Sequence, residues 1–317
     1  MKNILVVGAN CAWQKVLIFN NFTENKINRA QEIYKFASGK GINFSRAMKI
    51  YGKCEPYLIQ FSGGDTGEKI LKNLTMENIE YYNINVAGDT RVCTTCLSLV
   101  DNETTEIIEP SPAASPVETN EFLTACQKVL STNQCAGVAI CGTLINGVST
   151  DLYFDIVKTA LNNNKIVLLD TFRNMEKVFK SKSDLIILKI NRDELTELTG
   201  NTDAKSAMES LKIIYNFKAI MITDGAEKSY LIDDKMAFYE FELPLLDKLV
   251  NPIGSGDTAS AVLLSEYLST GDIINSCKIA LGAASANCRS IKCGEFDVDY
   301  AKNYAEKVRV YAKQQTF

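Results

Sequence analysis

The chain of 317 residues contains no histidine. That absence removes every mechanism that turns on imidazole, including Ser-His-Asp and Cys-His nucleophiles, His-ligated zinc and histidine general bases. Acid–base chemistry then falls to Asp, Glu, Lys, Tyr or Cys. Long apolar runs are also missing. None approaches the roughly 20 residues that a membrane-spanning helix needs. The opening MKNILVVGAN reads as a first strand, without the length or the small-residue cleavage site of a signal peptide. No long basic run is present, and 34 Lys and Arg stand against 38 Asp and Glu, a net charge of −4. Nucleic acid and membrane surfaces are therefore not expected partners, and the expected location is cytoplasmic. A hydrophobic content of 46% is enough for a large buried core.

Cysteine, by contrast, is plentiful at ten residues. Only Cys93 and Cys96 are spaced C-x-x-C, and no second pair completes a zinc site. Positions three apart on a strand point to opposite faces, which also argues against shared ligation. Scattered thiols in a reducing compartment are the expectation.

Short apolar runs at 4–9, 138–141, 166–170, 185–189 and 219–223 read as buried strands. Segments 66–79, 120–130, 152–164, 204–216 and the stretch from Thr258 carry helical periodicity between them. This alternation predicts a mainly parallel sheet with helices on both faces. Two regions depart from it, at about 12–37 and 87–109. They are richer in β-branched, aromatic and polar residues, with DNET (101–104) as a turn. They predict a small second sheet projecting as a lid from one domain spanning 1–317. EPSPAASP (109–116), with three of the six prolines, is the expected return linker.

Two stretches carry chemistry. In NPIGSGDTAS, the small residues Gly254, Ser255 and Gly256 precede Asp257 and an apolar helix. A helix start presents unpaired N–H groups and partial positive charge, and glycine lets a ligand approach the backbone, so such a start suits phosphate. Asp257 is then either an N-cap or a base beside a bound anion. In ASGKGINFSRAM, Gly39 and Gly41 flank Lys40, Asn43 follows and a helix runs on, a second combination of small residues, a cation and a helix start. Neither is a Walker A loop or a G-x-G-x-x-G turn. Two such starts, about 215 residues apart, fit a bisubstrate phosphotransferase better than either fits alone.

Gly39 to Asn43 resembles the first signature of the PfkB/ribokinase family of sugar kinases, and Asn251 to Asp257 resembles its second. Further elements fall in the family's order: Gly64-Asp65-x-x-Glu68, Lys189 to Glu194, Thr223-Asp224-Gly225, and the small-residue segment from Ala280 to Asn287. Thr90-Arg91, Thr105-Glu106-Ile107 and Asn28-Arg29 are similar to the 1-phosphofructokinase and tagatose-6-phosphate kinase branch. The resemblance implies a ribokinase-like three-layer α/β sandwich with a small β-sheet lid. It implies ATP-dependent phosphorylation of a hydroxyl of a sugar phosphate, with Mg²⁺. Asp257 is the implied base, with Gly254, Ser255 and Gly256 forming the anion hole. Gln14, Arg29, Gly39, Lys40, Asn43 and Arg91 are implied to bind the sugar phosphate. Lys189, Asn191, Thr223, Gly225, Ala280, Ala283 and Asn287 are implied to bind the nucleotide, and Asn191 and Glu194 to orient Mg²⁺ through water. A homodimer through the lid is also an expectation.

The chain departs from the family pattern in places. Gln14 stands where the branch has an Asp that grips hydroxyls, Ile190 replaces a proline, Ser255 replaces an alanine and Lys228 replaces a glycine. A kinase of an unphosphorylated sugar or nucleoside is the alternative, supported by Gln14. A non-catalytic sugar-phosphate-binding protein is a second alternative.

Overall fold

The computed structural model describes residues 2–101 and 103–313. The chain opens with β1 (Lys2–Val7), β2 (Ala12–Phe19), β3 (Glu32–Ser38) and α1 (Lys40–Tyr51). Next come β4 (Cys54–Ser62), α2 (Gly64–Met76), β5 (Glu80–Asn85), β6 (Val92–Ser98) and β7 (Thr104–Ile108). The middle runs through α3 (Pro116–Leu130), β8 (Cys135–Cys141), α4 (Asp151–Asn162), β9 (Ile166–Asp170), α5 (Glu176–Phe179) and β10 (Ile186–Asn191). Helices α6 (Arg192–Thr199) and α7 (Ala204–Tyr215) precede β11 (Ala219–Asp224), β12 (Lys228–Ile232) and β13 (Phe238–Glu242). The chain continues with α8 (Ser255–Thr270), α9 (Ile273–Asn287), α10 (Val298–Lys307) and β14 (Arg309–Lys313).

The large sheet has the order β14-β13-β12-β11-β10-β9-β8-β1-β4-β5. From β5 to β11 every pairing is parallel, and β11 to β14 pair antiparallel. The five apolar runs are β1 and β8 to β11. The antiparallel margin escapes the apolar-run criterion because Lys228 and Ser229 in KSYLI and Glu240 and Glu242 in FYEFE interrupt its short apolar stretches.

Side-chain alternation along each strand divides the core into two layers. Leu5, Val7, Val138, Ile140, Val167 and Leu169 face α3, α4 and α7, where Phe122 stacks on Phe61 at 4.5 Å. Ile4, Val6, Leu58, Ala139 and Leu168 face α1, α2, α8 and α9. Crossovers through α1 and α2 lead from β1 outward to β4 and β5 along one face. Those through α4 to α7 lead from β8 outward to β11 along the other. The neighbours β1 and β8 thus send their connections in opposite directions, which opens a crevice at their carboxyl ends.

The second sheet has the order β3-β2-β6-β7 and is built from the two segments that break the α/β alternation. β6 and β7 form a hairpin with Leu97 opposite Thr104. Its DNET turn includes Asn102, which lies outside the described residues. The proline-rich return ends in a capping box, with Ser115 and Glu118 bonding each other's backbone N–H and Pro116 at the first helical position.

Helix α1 lies unusually close to β1. A Cβ on Gly41 would stand 2.4 Å from the Cα of Gly8, backbone that cannot give way. Gly41→Ala is expected to lower stability by about 1–3 kcal/mol, the usual range for overpacking. The measurement is the urea-unfolding midpoint, and an unchanged midpoint would refute this close packing.

Candidate active site

Gly254 caps α8 in the left-handed region (φ 86°), and a Cβ there would lie 2.7 Å from that of Cys293. Glycine therefore meets both a conformational and a steric demand. Asp257 is the third residue of the helix and not its cap, so the N-cap reading of this carboxylate fails. The Ser255 N–H turns back to the Pro252 carbonyl at 3.3 Å. The N–H groups of Gly256 and Asp257 lie in the first turn, where a helix offers no acceptor of its own.

Helix α1 begins alongside. Its cap, Gly39, has φ 105°, and a Cβ there would lie 2.8 Å from the Cα of Cys11. From the first turn of α1, the buried Asn43 donates from Nδ2 to Asp257 Oδ2 at 2.8 Å. Asn43 Oδ1 accepts from Ser38 at 3.0 Å and from Arg46 at 3.4 Å. The Asn43 side chain thus holds Asp257 in position through one Nδ2 proton, while it also lines the central cavity.

Asp170 ends β9, fully buried. Lys40 Nζ lies 2.7 Å from its Oδ1, and the Ser260 hydroxyl donates to its Oδ2 at 2.8 Å. Burial opposes the charge on Asp170, but Lys40, Lys189 and the two hydrogen bonds prevail and hold its carboxyl below the usual range. Lys40 is likewise opposed by burial and held protonated, above the ordinary lysine range, by Asp170, Asp257 and Glu194. Asp257 behaves in the opposite sense. Loss of hydration and the Asp170 charge push it up to about 6, against the pull of Lys40, Asn43 and Lys189. The helix field favours its anion by only about 0.3–1 kcal/mol, too little to offset that burial. The site thus holds one permanently charged carboxylate and one that changes charge near neutrality.

Three cavities meet here. The central one, about 520 Å³, is lined by Gln14, Gly39, Lys40, Asn43, Arg91, Lys189 and the 252–257 turn. A second, about 220 Å³, shares Asn191, Thr223, Ser255 and Gly256 with it and continues to Leu243, Leu246, Leu281 and Tyr304. A third, about 230 Å³, shares Lys40, Arg91 and Glu194 with the centre and reaches Thr143 and Arg173. The head of α8 stands between an apolar slot and a cationic hollow. Arg91 Nε is buried there without a hydrogen-bond partner.

Most residues singled out by sequence converge on these cavities. Lys189 donates to the Gly256 carbonyl at 3.1 Å, while Thr223 and Gly225 line the apolar slot. Asn191 and Glu194 form a capping box at α6, and Glu194 also lines the central and cationic cavities. The remaining assignments need correction. Ala280, Ala283 and Asn287 are buried on the far side of α9. That helix turns Leu281, Ala284, Ser285 and Cys288 to the slot, at i, i+3, i+4 and i+7. Arg29 is exposed on the β2–β3 connection and lines none of the three cavities. Lys228 pairs with Glu240 at 2.9 Å across the β12–β13 hairpin, away from the slot.

Asp170 escaped the sequence reading, although an acid closing an apolar strand (IVLLD) is its signal. Arg46 escaped as well. Its buried guanidinium joins Glu77, the Cys293 carbonyl and the Ala37 carbonyl at 2.6 to 2.7 Å, partners that no local pattern brings together.

A buried carboxylate beside an anion-binding helix start, flanked by an apolar slot and a cationic hollow, is the arrangement of a phosphoryl-transfer enzyme. The chain belongs to the pfkB family of carbohydrate kinases, whose pattern matches residues 1–299. It is 29% identical over 252 residues to a tagatose-6-phosphate kinase of Staphylococcus epidermidis, covering 78% of this chain and 79% of that one. Its ribokinase-like fold superimposes on phosphofructokinase-2 of Escherichia coli in complex with fructose-6-phosphate (TM-score 0.83, 18% identity, 96% and 99% of the two chains). It also superimposes on a possible 1-phosphofructokinase of Thermotoga maritima (TM-score 0.84, 18% identity, 98% and 100%).

The Asn43 contact carries a prediction about pH. A carboxyl with a value near 6 gains its proton as pH drops through that region, and where turnover needs the Asp257 anion kcat/KM should fall with it. Removing the Asn43 hydrogen bond disfavours the Asp257 anion. In Asn43→Ala the acid limb of the kcat/KM profile should therefore move to higher pH, and a limb that stays in place would separate Asn43 from Asp257.

Proposed function

We propose that this chain transfers the γ-phosphoryl group of ATP to a hydroxyl of a sugar phosphate, as 1-phosphofructokinases and tagatose-6-phosphate kinases do. One observation carries the reading: the buried carboxyl of Asp257 lines the central cavity, between the apolar slot and the cationic hollow. The slot suits an adenine and the unpaired N–H groups of α8 suit phosphate. Lys40 and Arg91 suit a phosphate on the acceptor, Arg through two parallel N–H donors and Lys as a point charge.

In this reading Asp257 takes the proton of the attacking hydroxyl. The free backbone N–H groups at the head of α8, those of Gly256 and Asp257 with that of Gly254, stabilise the charge on the group in transfer, while Ser255 holds the turn through Pro252. Lys189 braces the turn through the Gly256 carbonyl, and Lys40, neutralised by Asp170, leaves Asp257 free to titrate. Glu194 and Asn191 fit a hydrated Mg²⁺, because the carboxylate is an acceptor facing the cavities where phosphate would lie; the ion would neutralise phosphate charge. The small sheet acts as a lid on a single domain and keeps water from the transfer. Its outer face, where Ile33 and Ile107 are about half exposed, is a pairing surface for a second copy.

Four experiments test this. Asp257→Asn should fold, bind ATP and lose kcat by about 10²–10⁴, the usual contribution of a positioned base; near-normal turnover would remove the assignment. ADP release should be faster with fructose 1-phosphate, fructose 6-phosphate or tagatose 6-phosphate than with fructose, ribose or a nucleoside. Arg91→Ala should raise KM for the phosphorylated sugars by about 10–100-fold, as the loss of a charged hydrogen bond does, and leave neutral sugars unaffected. Better turnover of neutral sugars would overturn the substrate class. Finally, sedimentation of Ile33→Lys should show a monomer where the native chain is a dimer; a native monomer would discard the pairing surface.

A further inference from the structure

Gln14, Thr95 and Glu106 share one face of the small sheet. Gln14 is in register with Cys93, and Thr95 pairs directly across from Glu106. Strand alternation places all four, with Ile108, on the side that covers the central cavity. Gln14, Cys93, Glu106 and Ile108 line that cavity together with Lys40, Arg91 and Asp257.

The polar groups on this face form a directed chain. Gln14 Nε2 donates to the buried Thr95 hydroxyl at 2.8 Å and to the Lys15 carbonyl at 3.2 Å. The hydroxyl still has its own proton to give, and Glu106 stands directly across the ladder from it. A carboxylate only accepts, so the chain has one direction. With the Gln14 nitrogen committed to protein, its carbonyl oxygen is the end left for a ligand. Glu106, beside Thr95, has acceptor positions to offer into the cavity. Lying over the cavity, its carboxyl loses hydration and is held above the usual range, against the pull of Thr95.

The two sides of the cavity differ in balance. The floor offers donors and positive charge through Lys40, Lys189 and the head of α8, beside the carboxylates of Asp257 and Glu194. The small sheet adds the acceptors Glu106 and Gln14, and the cation Arg91 just ahead of β6. A phosphate is met by the cations and the helix head, whereas a polyol also needs acceptors for its several hydroxyl protons.

We infer that Glu106, with the carbonyl oxygen of Gln14, reads the hydroxyl groups of the acceptor and so determines specificity. The inference rests on the sugar-phosphate reading and adds the group that distinguishes a polyol phosphate from a bare one. Thr95 is the positioning residue between them.

The test is titration calorimetry with two probes. One is whichever of fructose 1-phosphate, fructose 6-phosphate and tagatose 6-phosphate binds the native chain most tightly; the other is methyl phosphate, which carries no hydroxyl. Glu106→Gln keeps the shape and removes acceptor capacity and charge. It should weaken the sugar phosphate by about tenfold to a hundredfold, the range of a charged hydrogen bond, and leave methyl phosphate unchanged or tighter. Thr95→Val should weaken the sugar phosphate to a smaller extent and spare methyl phosphate. Unchanged sugar-phosphate affinity in Glu106→Gln would overturn the inference, as would equal weakening of both probes, which would mean that Glu106 merely supports the cations. If the native chain binds none of the three sugar phosphates, the substrate reading itself fails and this inference falls with it.

Discussion

The site depends on keeping a carboxylate out of water at the start of a helix. The hydrogen bond from Asn43 to Asp257 does this by joining the first turns of α1 and α8, helices that begin about 215 residues apart in sequence. A hydrogen bond to a charged group is worth about 1.5–3 kcal/mol. That is enough to fix the carboxylate's direction without cancelling the cost of its burial. Its acidity is consequently weakened and its position is not. A base needs both properties.

The surrounding charges follow from this constraint. Two buried acids so close together could not both ionise unaided. Lys40 and Ser260 secure the charge on Asp170, and the unfavourable titration is left to Asp257. Gly39 and Gly254 allow the two helices to begin in conformations that other residues resist. Arg46 fixes their surroundings, holding β3 through Ala37 and the turn beside Gly254 through Cys293. Glu77 neutralises Arg46; Arg46 and Lys292 in turn hold the Glu77 carboxyl below its usual range although burial opposes them.

Much of this was legible in the sequence, and the unread part has a physical pattern. The parallel strands β1 and β8 to β11 announce themselves as uninterrupted apolar runs because both faces are buried, whereas the parallel strands β4 and β5 carry polar residues and do not. The antiparallel margin, β12 to β14, is interrupted by charged and polar residues. The two glycine-flanked helix starts are local signals and read well. Long-range partnerships do not: nothing near Arg46 in sequence indicates Glu77 or Cys293, and Lys40 gives no hint of Asp170. The misplacement of Ala280, Ala283 and Asn287 is an error of angle. A small-residue helix looks alike on every side until its neighbours determine which side is buried. Arg29 shows the complementary limit, since a cation in a loop has no periodicity to say where it points.

The missing imidazoles give Asp257 a wider significance. In most proteins a proton taken up or released between pH 5 and 8 has several histidines as candidate sources. Here the side chains contribute no ordinary group in that window. Apart from the terminal amine, the carboxyl of Asp257, pushed up to about 6, is the group placed beside that window, and Glu106 is also held above the ordinary carboxylate range. Proton exchange accompanying ligand binding, once corrected for the ligand's own phosphates, is therefore read against a background without imidazole, in which the cavity carboxyls Asp257 and Glu106 stand out.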